Sequence, residues 1–322
     1  MRVRFGYVAM SVLLENASPS RTVTAKTFEQ FAAKSPDTAL QKVRRAAGEN
    51  LENTLRLLKH CKGYGISLYR FSSRLIPLAT HPCLVGWDYA EDLQEDLLAI
   101  GDFVKANEMR VSFHPDHFTL LNSPRSEVLE ASLTDLQHHC IMLDTMGLDE
   151  SSKLIIHVGG GYKDKTAAAA RFLVNWLVLS ENIQKRLVLE NDDRVFTAGE
   201  VLSICRQVGA PMIFDLHHFN CNRGEDYLSD IIPQFIKTWS PTGLSPKIHI
   251  SSPKSLQDPR SHHDYVDPDD IYPFLLAFSE FNSDLDVMVE AKQKDRAMLR
   301  LVQDLGGYPH IQNPTSAELI IN

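Results

Sequence analysis

The sequence lacks a hydrophobic run that could cross a membrane. None of its 322 residues belongs to an uninterrupted apolar stretch near the roughly 18 residues that a transmembrane helix needs. It also lacks an apolar leader, because the strand-like segment 2–7 follows directly on the first methionine. These two absences predict a cytoplasmic protein without membrane contact.

Cysteine is scarce, and no two cysteines stand in a C-x-x-C pair. The absence of pairs argues against a disulfide framework and against a thiolate metal site, and it favours reduced thiols in a reducing compartment. The five cysteines are Cys61, Cys83, Cys140, Cys205 and Cys221.

Positive charge is in deficit, since 33 Lys and Arg face 41 Asp and Glu, for a formal net charge of −8. Such a chain is not expected to coat DNA non-specifically. An enzyme that acts on DNA stays compatible with this charge if acidic residues bind metal ions and basic residues are concentrated locally. Several basic residues, including Arg70 and Arg74, do fall in or near predicted strand-to-helix loops.

Short runs rich in Val and Ile alternate with amphipathic segments along the whole chain, without a clear linker between domains. Strands of this composition are typical of a parallel sheet that is buried on both faces. Eight strands alternating with eight helices predict a single α/β domain, a TIM-type (β/α)8 barrel over residues 1–305. Residues 306–322 are predicted to be a poorly ordered or surface-packed extension. No obligate protein partner is indicated, and we expect a monomer.

Six predicted strands carry a residue that binds metal ions, five of them at the strand end and one inside the strand. In a parallel barrel the carboxyl ends of all strands meet at one rim, where active sites of this fold lie. One His or carboxylate at a strand end is usually a paired core residue, but six are hard to explain in that way. The six are His114, His157, Glu190, Asp215, His249 and Glu290.

The ligand types indicate which ions the rim binds. Imidazole and carboxylate without thiolate suit divalent ions such as Zn²⁺ and Mn²⁺. Several carboxylates in one pocket need cations between them, so Glu190 and Glu290 are candidate bridging ligands. His218 and His262, in the loops after the sixth and seventh strands, are further candidates, whereas His217 is interpreted as a packing residue. The sequence therefore predicts a polynuclear metal site.

Segments throughout residues 1–300 resemble the UV damage endonucleases. The segments are FGYVAM (5–10), LIPLATHP (75–82), HPDHF (114–118), IHVGG (156–160), LEND (189–192), DLHH (215–218), KIHIS (247–251) and VEAK (289–292). That family is a TIM barrel related to endonuclease IV, and it nicks DNA on the 5′ side of UV photoproducts with divalent ions, typically manganese. The resemblance therefore implies a metal-dependent phosphodiesterase whose partner is damaged double-stranded DNA.

By the same resemblance, each chain holds two to three divalent ions, with Glu190, Glu290 and Lys247 as catalytic residues. The implied sets are His114, His157 and Glu190 for one ion, Glu190, Asp215, His249 and Glu290 for a second, and His218 and His262 for a third. Phosphodiester hydrolysis fits this arrangement, because one ion generates a hydroxide nucleophile while others neutralise the phosphate.

Four residues are predicted to probe the DNA lesion. Some family members have a Gln-Tyr pair where this chain has His117 and Phe118. Phe118 can still wedge and stack, but His117 offers a different hydrogen-bond pattern. Tyr7 matches a tyrosine of the family, and Ser11 stands where some relatives have asparagine.

Lys247 lies two residues before His249, so both side chains are expected on the same face of the strand and inside the barrel. Burial favours a neutral amine, which can react with carbon dioxide to give a carbamate. A carboxylated Lys247 would supply the anionic ligand that the third ion lacks. The alternative is an ordinary ion pair with Glu290 or Asp215.

Three other functions stay open on the sequence alone. One is an abasic-site endonuclease resembling endonuclease IV, without preference for photoproducts. Another is a metal-dependent sugar isomerase or epimerase, whose open surface should lack aromatic wedges and basic loops. A non-catalytic sensor of DNA damage is the third, although a binding protein has little use for a fully ligated metal cluster.

Overall fold

A computed structural model describes residues 1–84 and 86–322. The barrel strands are β1 (Arg2–Val8), β2 (Leu68–Arg70), β3 (Arg110–Phe113), β4 (Lys153–His157), β5 (Leu187–Glu190), β6 (Met212–Asp215), β7 (Lys247–Ile250) and β8 (Leu285–Val289). Neighbouring strands pair in parallel, and β1 pairs with both β2 and β8, which closes the barrel. The predicted TIM-type barrel is confirmed.

Helices connect each barrel strand to the next. The α-helices of the described residues are α1 (Ala25–Ala32), α2 (Pro36–Gly63), α3 (Tyr89–Asp92), α4 (Gln94–Ala106), α5 (Ser126–Thr145), α6 (Lys165–Trp176), α7 (Glu181–Arg186), α8 (Ala198–Val208), α9 (Leu216–Cys221), α10 (Leu228–Trp239), α11 (Pro268–Ser279) and α12 (Lys294–Leu305). Within this described part, none of them combines the length and the apolar character needed to cross a membrane.

The helix predictions need two corrections. Helices α1, α7 and α9 were not expected, because each has only six to eight residues and is too short to display a hydrophobic repeat. Their side-chain caps start them instead: Thr24, Ser180 and Asp215 each accept a hydrogen bond from a main-chain N–H in the first turn. Asp88 is a typical N-cap and predicts a single helix from there to about Asn107, but the segment forms two helices, α3 and α4, which are separated at Leu93.

The C-terminal segment is an ordered β-hairpin that packs on the barrel, so the expectation of a poorly ordered tail is wrong, whereas a surface-packed extension is compatible with it. Its strands, β9 (Ile311–Thr315) and β10 (Glu318–Ile321), pair antiparallel, and β10 pairs antiparallel with the first half of β1. Strand β2 pairs only with the second half of β1. The hairpin therefore covers an edge that would otherwise leave main-chain groups of β1 unpaired.

The strand register places the candidate ligands side by side. His157 of β4 is opposite Glu190 of β5, and Asp215 of β6 is opposite His249 of β7. The apolar core packs around the strands and the inner faces of the helices, and charged side chains such as Arg110, Lys247 and Asp286 are buried below the ligand layer. The common end of the parallel strands thus fixes the height at which the candidate ligands lie.

Candidate metal centre

The candidate ligands form one layer at the carboxyl rim of the barrel. His157, Glu190 and Asp215 are the last residues of their strands. His114 and Glu290 follow directly after β3 and β8. Parallel strands that end at the same height bring residues distant in the sequence into one site.

The carboxylate of Glu190 lies at the centre of this layer. Its Oε2 is 2.9 Å from His114 Nε2 and 3.6 Å from His157 Nε2. Its Oε1 is 2.8 Å from His249 Nδ1, which is itself 3.1 Å from Oε1 of Glu290. Glu190 and His249 are buried, so their contact is shielded from water. One carboxylate therefore connects side chains from four other strands or strand ends.

Two groups of side chains are close enough to share an ion, and Glu190 belongs to both. Within each group one ligand atom per residue lies within 4.8 Å of every other. The groups are His114, His157 and Glu190, and Glu190, Asp215, His249 and Glu290. They coincide with the first two ion sets inferred from the sequence.

The surroundings of the ligand atoms fit a divalent ion. Over the described residues, His157 Nδ1, Asp215 Oδ2 and His249 Nε2 are buried without a hydrogen-bond partner. A buried polar atom without a partner costs free energy, so such atoms are normally satisfied. A divalent cation satisfies carboxylate oxygen and imidazole nitrogen alike. Residue groups of this chain are therefore suited to bind metal ions.

Electrostatics favours the protonation states that metal ligands require at Glu190, Glu290 and His157. Burial raises the pKa of Glu190, but His249 and His157 outweigh burial and hold the pKa of this carboxyl well below its ordinary value. Burial also acts against ionised Glu290, yet Arg70 and His249 lower its pKa. Burial lowers the pKa of His157, which favours the neutral imidazole. Ionised carboxylates beside a neutral imidazole are ready to bind a cation.

His218 and His262 flank the two groups, and in the described chain they belong to neither. His218 Nδ1 is 3.6 Å from Asp215 Oδ2 and 3.8 Å from Glu190 Oε1. His262 Nδ1 is 2.7 Å from the main-chain oxygen of Glu290. His218 lies in α9 and not in the loop where it was expected, because Asp215 caps that helix. A third ion held by these histidines stays a prediction.

Asn191 supports the rim and was not identified from the sequence. Its side chain accepts a hydrogen bond from the main-chain N–H of Asp215 and donates one to the main-chain oxygen of Asp215, both at 2.9 Å. Its own main-chain oxygen lies 3.0 Å from His218 Nδ1. Asn191 therefore positions two candidate ligands. The only available signal was its place directly after Glu190.

Arg70 is a second residue whose role was not identified. It is the last residue of β2, which lies beside β1. No metal ligand was predicted on β2. Its guanidinium donates a hydrogen bond to Oε1 of Glu290, and both side chains are largely buried. Arg70 therefore fixes the orientation of Glu290 and adds a positive charge beside the ligand layer.

The loop after β4 requires glycine because it lies against the loop after β3. Gly159 has a φ of +115°, and a Cβ atom there would be 2.2 Å from Oδ1 of Asn122. Asn122 donates a hydrogen bond to the main-chain oxygen of Gly160 at 2.8 Å. The glycine-rich turn thus joins two rim loops directly after His157.

Lys247 lies inside the barrel, as predicted from its spacing on β7, and it is buried. Burial lowers its pKa well below the ordinary value, and Arg110 lowers it further, whereas Asp286 raises it. Glu290 and Asp215 make their ion pairs elsewhere in the rim. The described residues include no salt bridge between Lys247 and either of these two carboxylates, and Asp286 lies opposite Lys247 on the neighbouring strand. The carbamate on Lys247 stays a prediction.

Two of the four predicted lesion contacts are on the surface. His117 and Phe118 follow β3, and Phe118 is 57% exposed. Their ring centroids are 4.9 Å apart in an edge-on arrangement. A large aromatic side chain so exposed at the rim is available to a base.

Tyr7 and Ser11 do not share this position. Tyr7 is buried, its hydroxyl accepts a hydrogen bond from the Cys61 thiol, and its ring packs edge-on against Tyr69. The hydroxyl of Ser11 donates to Asp295. The alternation of side chains along β1 directs Tyr7 into the core, which corrects the expectation that it reaches DNA. Ser11 is held by Asp295 of α12 and by the main-chain N–H groups of Leu13 and Leu14 in its own loop.

A cleft of about 410 Å³ opens beside the ligands, between the loops that follow β1, β2 and β3. His114 and His157 contribute to its wall, together with Arg70, Arg74 and Met10. Guanidinium groups bind the oxygens of phosphodiesters well. The cleft therefore combines candidate metal ligands with groups suited to a phosphate.

Comparison with protein families places these features among known proteins. The family described as UV-endonuclease UvdE matches residues 3–321. A UV DNA damage endonuclease of Bacillus velezensis is 46% identical over 306 residues, which cover 95% of this chain and 94% of the relative.

Solved structures give the same picture. The crystal structure of SacUVDE superimposes with a TM-score of 0.83 at 31% sequence identity, and the match covers 94% of this chain and 98% of that one. Endonuclease IV from Thermus thermophilus matches with a TM-score of 0.52 at 10% identity, over 89% of this chain and 92% of that one. The second likeness is one of fold alone.

Proposed function

The chain belongs to the UV-endonuclease UvdE family, and on that premise we propose that it is a DNA repair endonuclease that hydrolyses the phosphodiester bond 5′ to UV photoproducts. The relatives' names support a nuclease that acts on damaged DNA. The position of the cut follows from the family resemblance described above. The substrate is damaged duplex DNA.

The observation that carries this proposal is the pair of ligand groups that share Glu190. We propose two to three divalent ions per chain, with manganese as the metal on the strength of the family resemblance. When bound, such ions supply a hydroxide nucleophile at neutral pH and neutralise the phosphate and the leaving 3′ oxygen. The residues of the chain hold the ions and orient the phosphodiester, and no side-chain nucleophile is required.

The residues around the ligands have distinct roles in this proposal. Arg70 holds Glu290 through Oε1, and with Arg74 it binds non-bridging oxygens of the phosphodiester. Phe118 stacks on a base at the lesion, and His117 forms hydrogen bonds there. Arg70, Arg74 and His117 line the cleft and Phe118 is exposed at the rim, which supports these roles.

Lys247 enters the proposal as a carbamate that provides an anionic ligand for an ion beside His218 and His262. The burial of its amine and the lowered pKa support a neutral, reactive form. Electron density at Lys247 in the metal-loaded protein tests this point. Density for a plain amine together with full occupancy of all ions would remove the carbamate from the account.

A nicking assay tests the proposed function. A duplex that carries one cyclobutane pyrimidine dimer and a 5′ label is incubated with the chain and Mn²⁺, and the product length is compared with a sequence ladder. We expect one product that ends directly 5′ to the dimer with a 3′ hydroxyl, and no product when EDTA is present. An undamaged duplex serves as the control.

A duplex with an abasic site separates this proposal from its nearest alternative. Cleavage of the abasic duplex alone would indicate an activity like that of endonuclease IV and would contradict a preference for photoproducts. No cleavage of any damaged duplex would contradict a nuclease altogether.

A further inference from the structure

The loop that follows β1 presents apolar side chains to solvent. Met10, Val12 and Leu13 are 40%, 38% and 37% exposed, and we call these three residues the β1 tip. Met10 also lines the cleft that contains His114 and His157. Exposed apolar residues that cluster beside a functional cleft mark an interaction surface.

The β1 tip is held rigidly by a buried carboxylate. Asp295, at the start of α12, accepts hydrogen bonds from the hydroxyl of Ser11 and, at 2.9 Å, from the main-chain N–H of Val12. His60 of α2 places its Nε2 2.9 Å from the same carboxylate. Ser11 in turn accepts a hydrogen bond from the main-chain N–H of Leu13 at 3.0 Å. Asp295 therefore connects the tip to two helices.

The approach of the chain to the tip is also fixed. Ala9 has a φ of 58°, a left-handed conformation that is uncommon for alanine and that persists where surrounding contacts impose it. Its N–H donates to the main-chain oxygen of Arg70 at 2.9 Å, and its own oxygen accepts from the Tyr69 hydroxyl at 2.5 Å. These bonds turn the chain sharply at the end of β1 and tie it to β2.

The β1 tip and Phe118 lie on opposite sides of the carboxyl end of β2, which is basic. Strand β2 lies between β1 and β3. Its carboxyl end carries Arg70, with Arg74 in the loop that follows, and both line the cleft. A phosphate bound there would therefore lie between an aliphatic tip and an aromatic ring.

From this arrangement we infer that the β1 tip is a second apolar wedge, which packs against bases displaced at the damaged step, and that Asp295 is its positioning residue. The inference rests on the proposed function. Aliphatic side chains such as Met and Leu act in this way in proteins that unstack base steps. Three side chains are too few for a stable protein interface, and the neighbouring arginines suit DNA.

The test uses the full chain loaded with Mn²⁺ and two duplexes that carry the same pyrimidine dimer. In the first duplex the flanking bases are paired, and 2-aminopurine next to the dimer reports unstacking by its fluorescence. In the second the flanking bases are mismatched, so the damaged step is already open. The tip is changed by the double substitution Val12→Ser and Leu13→Ser, which leaves Met10 and the wall of the cleft unchanged.

A matched control changes two exposed apolar residues at the other end of the barrel. Leu177 and Val178 are 78% and 62% exposed, and they lie between α6 and α7. The control is the double substitution Leu177→Ser and Val178→Ser, which removes a similar apolar area far from the rim.

We expect the tip variant to bind the paired duplex about tenfold more weakly than the unsubstituted chain. It should also lose most of the rise in 2-aminopurine fluorescence, yet nick the open duplex at the unsubstituted rate. Asp295→Asn should show the same pattern, with unchanged metal content, because it weakens the anchor of the tip and not the ligand layer. The control variant should match the unsubstituted chain on both duplexes.

Equal binding and fluorescence for the tip variant and the unsubstituted chain would overturn the inference. A loss of the same size on both duplexes would also overturn it, since the tip would then act on the fold or on the metal centre. If the Asp295→Asn protein does not fold, the tip variant alone still tests whether the β1 tip acts on the displaced bases. Failure of the proposed function is distinguishable, because the unsubstituted chain itself would then nick neither duplex.

Discussion

Two buried aspartates of the same barrel, Asp286 at its base and Asp215 at its rim, have opposite surroundings. Asp286 accepts hydrogen bonds from Nε and Nη2 of Arg4 at 2.7 and 2.8 Å and from Nη1 of Arg110 at 2.5 Å. Oδ1 of Asp215 accepts from the main-chain N–H of His218, but within the described chain its Oδ2 has no hydrogen-bond partner, and His218 Nδ1 lies 3.6 Å from it.

The difference distinguishes a carboxylate that stabilises the fold from a carboxylate that is a candidate metal ligand. At the base the chain supplies its own cations to the carboxylate, so no ion is needed there. At the rim Asp215, Glu190 and Glu290 lie close enough together to share a cation. Burial of an acidic residue therefore does not by itself indicate a metal site; the rim is distinguished by several buried ligand atoms without a hydrogen-bond partner that lie close together.

The largest effect is expected when the central rim carboxylate is changed. Glu190→Gln removes the charge that both ligand groups share, so nicking of the dimer duplex at saturating Mn²⁺ should fall by several orders of magnitude while the fold persists. The control is Glu181→Gln, an exposed residue of α7 whose change should leave nicking intact. Near-normal nicking by a folded Glu190→Gln protein would contradict the central role of this residue.

The base of the barrel should respond in stability and not in metal binding. Asp286→Asn leaves Arg110 buried without its counter-charge, which should lower the free energy of unfolding by about 3–5 kcal/mol in urea titrations. The control is Asp284→Asn, whose exposed carboxylate accepts from the main-chain N–H of Arg2 and should cost less than about 1 kcal/mol. Equal losses for the two variants would show that the basal pair is not structural.

Manganese should stabilise the rim only when its ligands are intact. A concentration a hundredfold above the dissociation constant should add about 2.7 kcal/mol to the free energy of unfolding of the unsubstituted chain. Asp215→Asn should lose most of this gain without loss of metal-free stability, because asparagine still caps α9 and one like charge is removed. Thermal melts with and without Mn²⁺ measure the metal-free stability and the stabilisation by the metal. If Mn²⁺ stabilised the variant as much as the unsubstituted chain, Asp215 would be excluded as a ligand.

The smallest effect concerns the exposed aromatic at the rim. Phe118→Ala should weaken binding of the dimer duplex about tenfold, since stacking on a base contributes roughly 1–3 kcal/mol, and it should leave metal content unchanged. Phe281→Ala is the control, because Phe281 is exposed where the chain leaves α11 at the opposite end of the barrel. Fluorescence anisotropy with damaged and intact duplex measures these affinities. Equal affinities of the Phe118→Ala and Phe281→Ala variants for the dimer duplex would show that Phe118 does not stack on a base.

Much of the fold could be predicted because most of the buried strands are apolar runs with a polar residue at or directly after their carboxyl end. That pattern is local, and parallel pairing then brings the strand ends together whatever the loops do. The short helix α9 was not visible, because its start depends on a cap from Asp215, which had been read only as a strand end and a ligand. The pairing of the C-terminal hairpin with β1 joins the two ends of the chain, which no local pattern reveals.

The residue types of the site were predictable from the sequence, but the contacts between those residues were not. The contact between Arg70 and Glu290 joins residues 220 positions apart, and only the closed barrel brings them together. Tyr7 and Ser11 were placed at the lesion by resemblance, but one side chain points into the core and the other is held by Asp295. Orientation at a strand end depends on the packing of neighbouring strands, which a single sequence does not encode locally.

Anomalous diffraction at the manganese edge, on crystals equilibrated with Mn²⁺, tests the central claim most directly. The account predicts two or three peaks at the carboxyl rim, with Glu190 in contact with two of them and no peak beside Asp286. A rim without anomalous density in a crystal that is saturated with Mn²⁺ would contradict it.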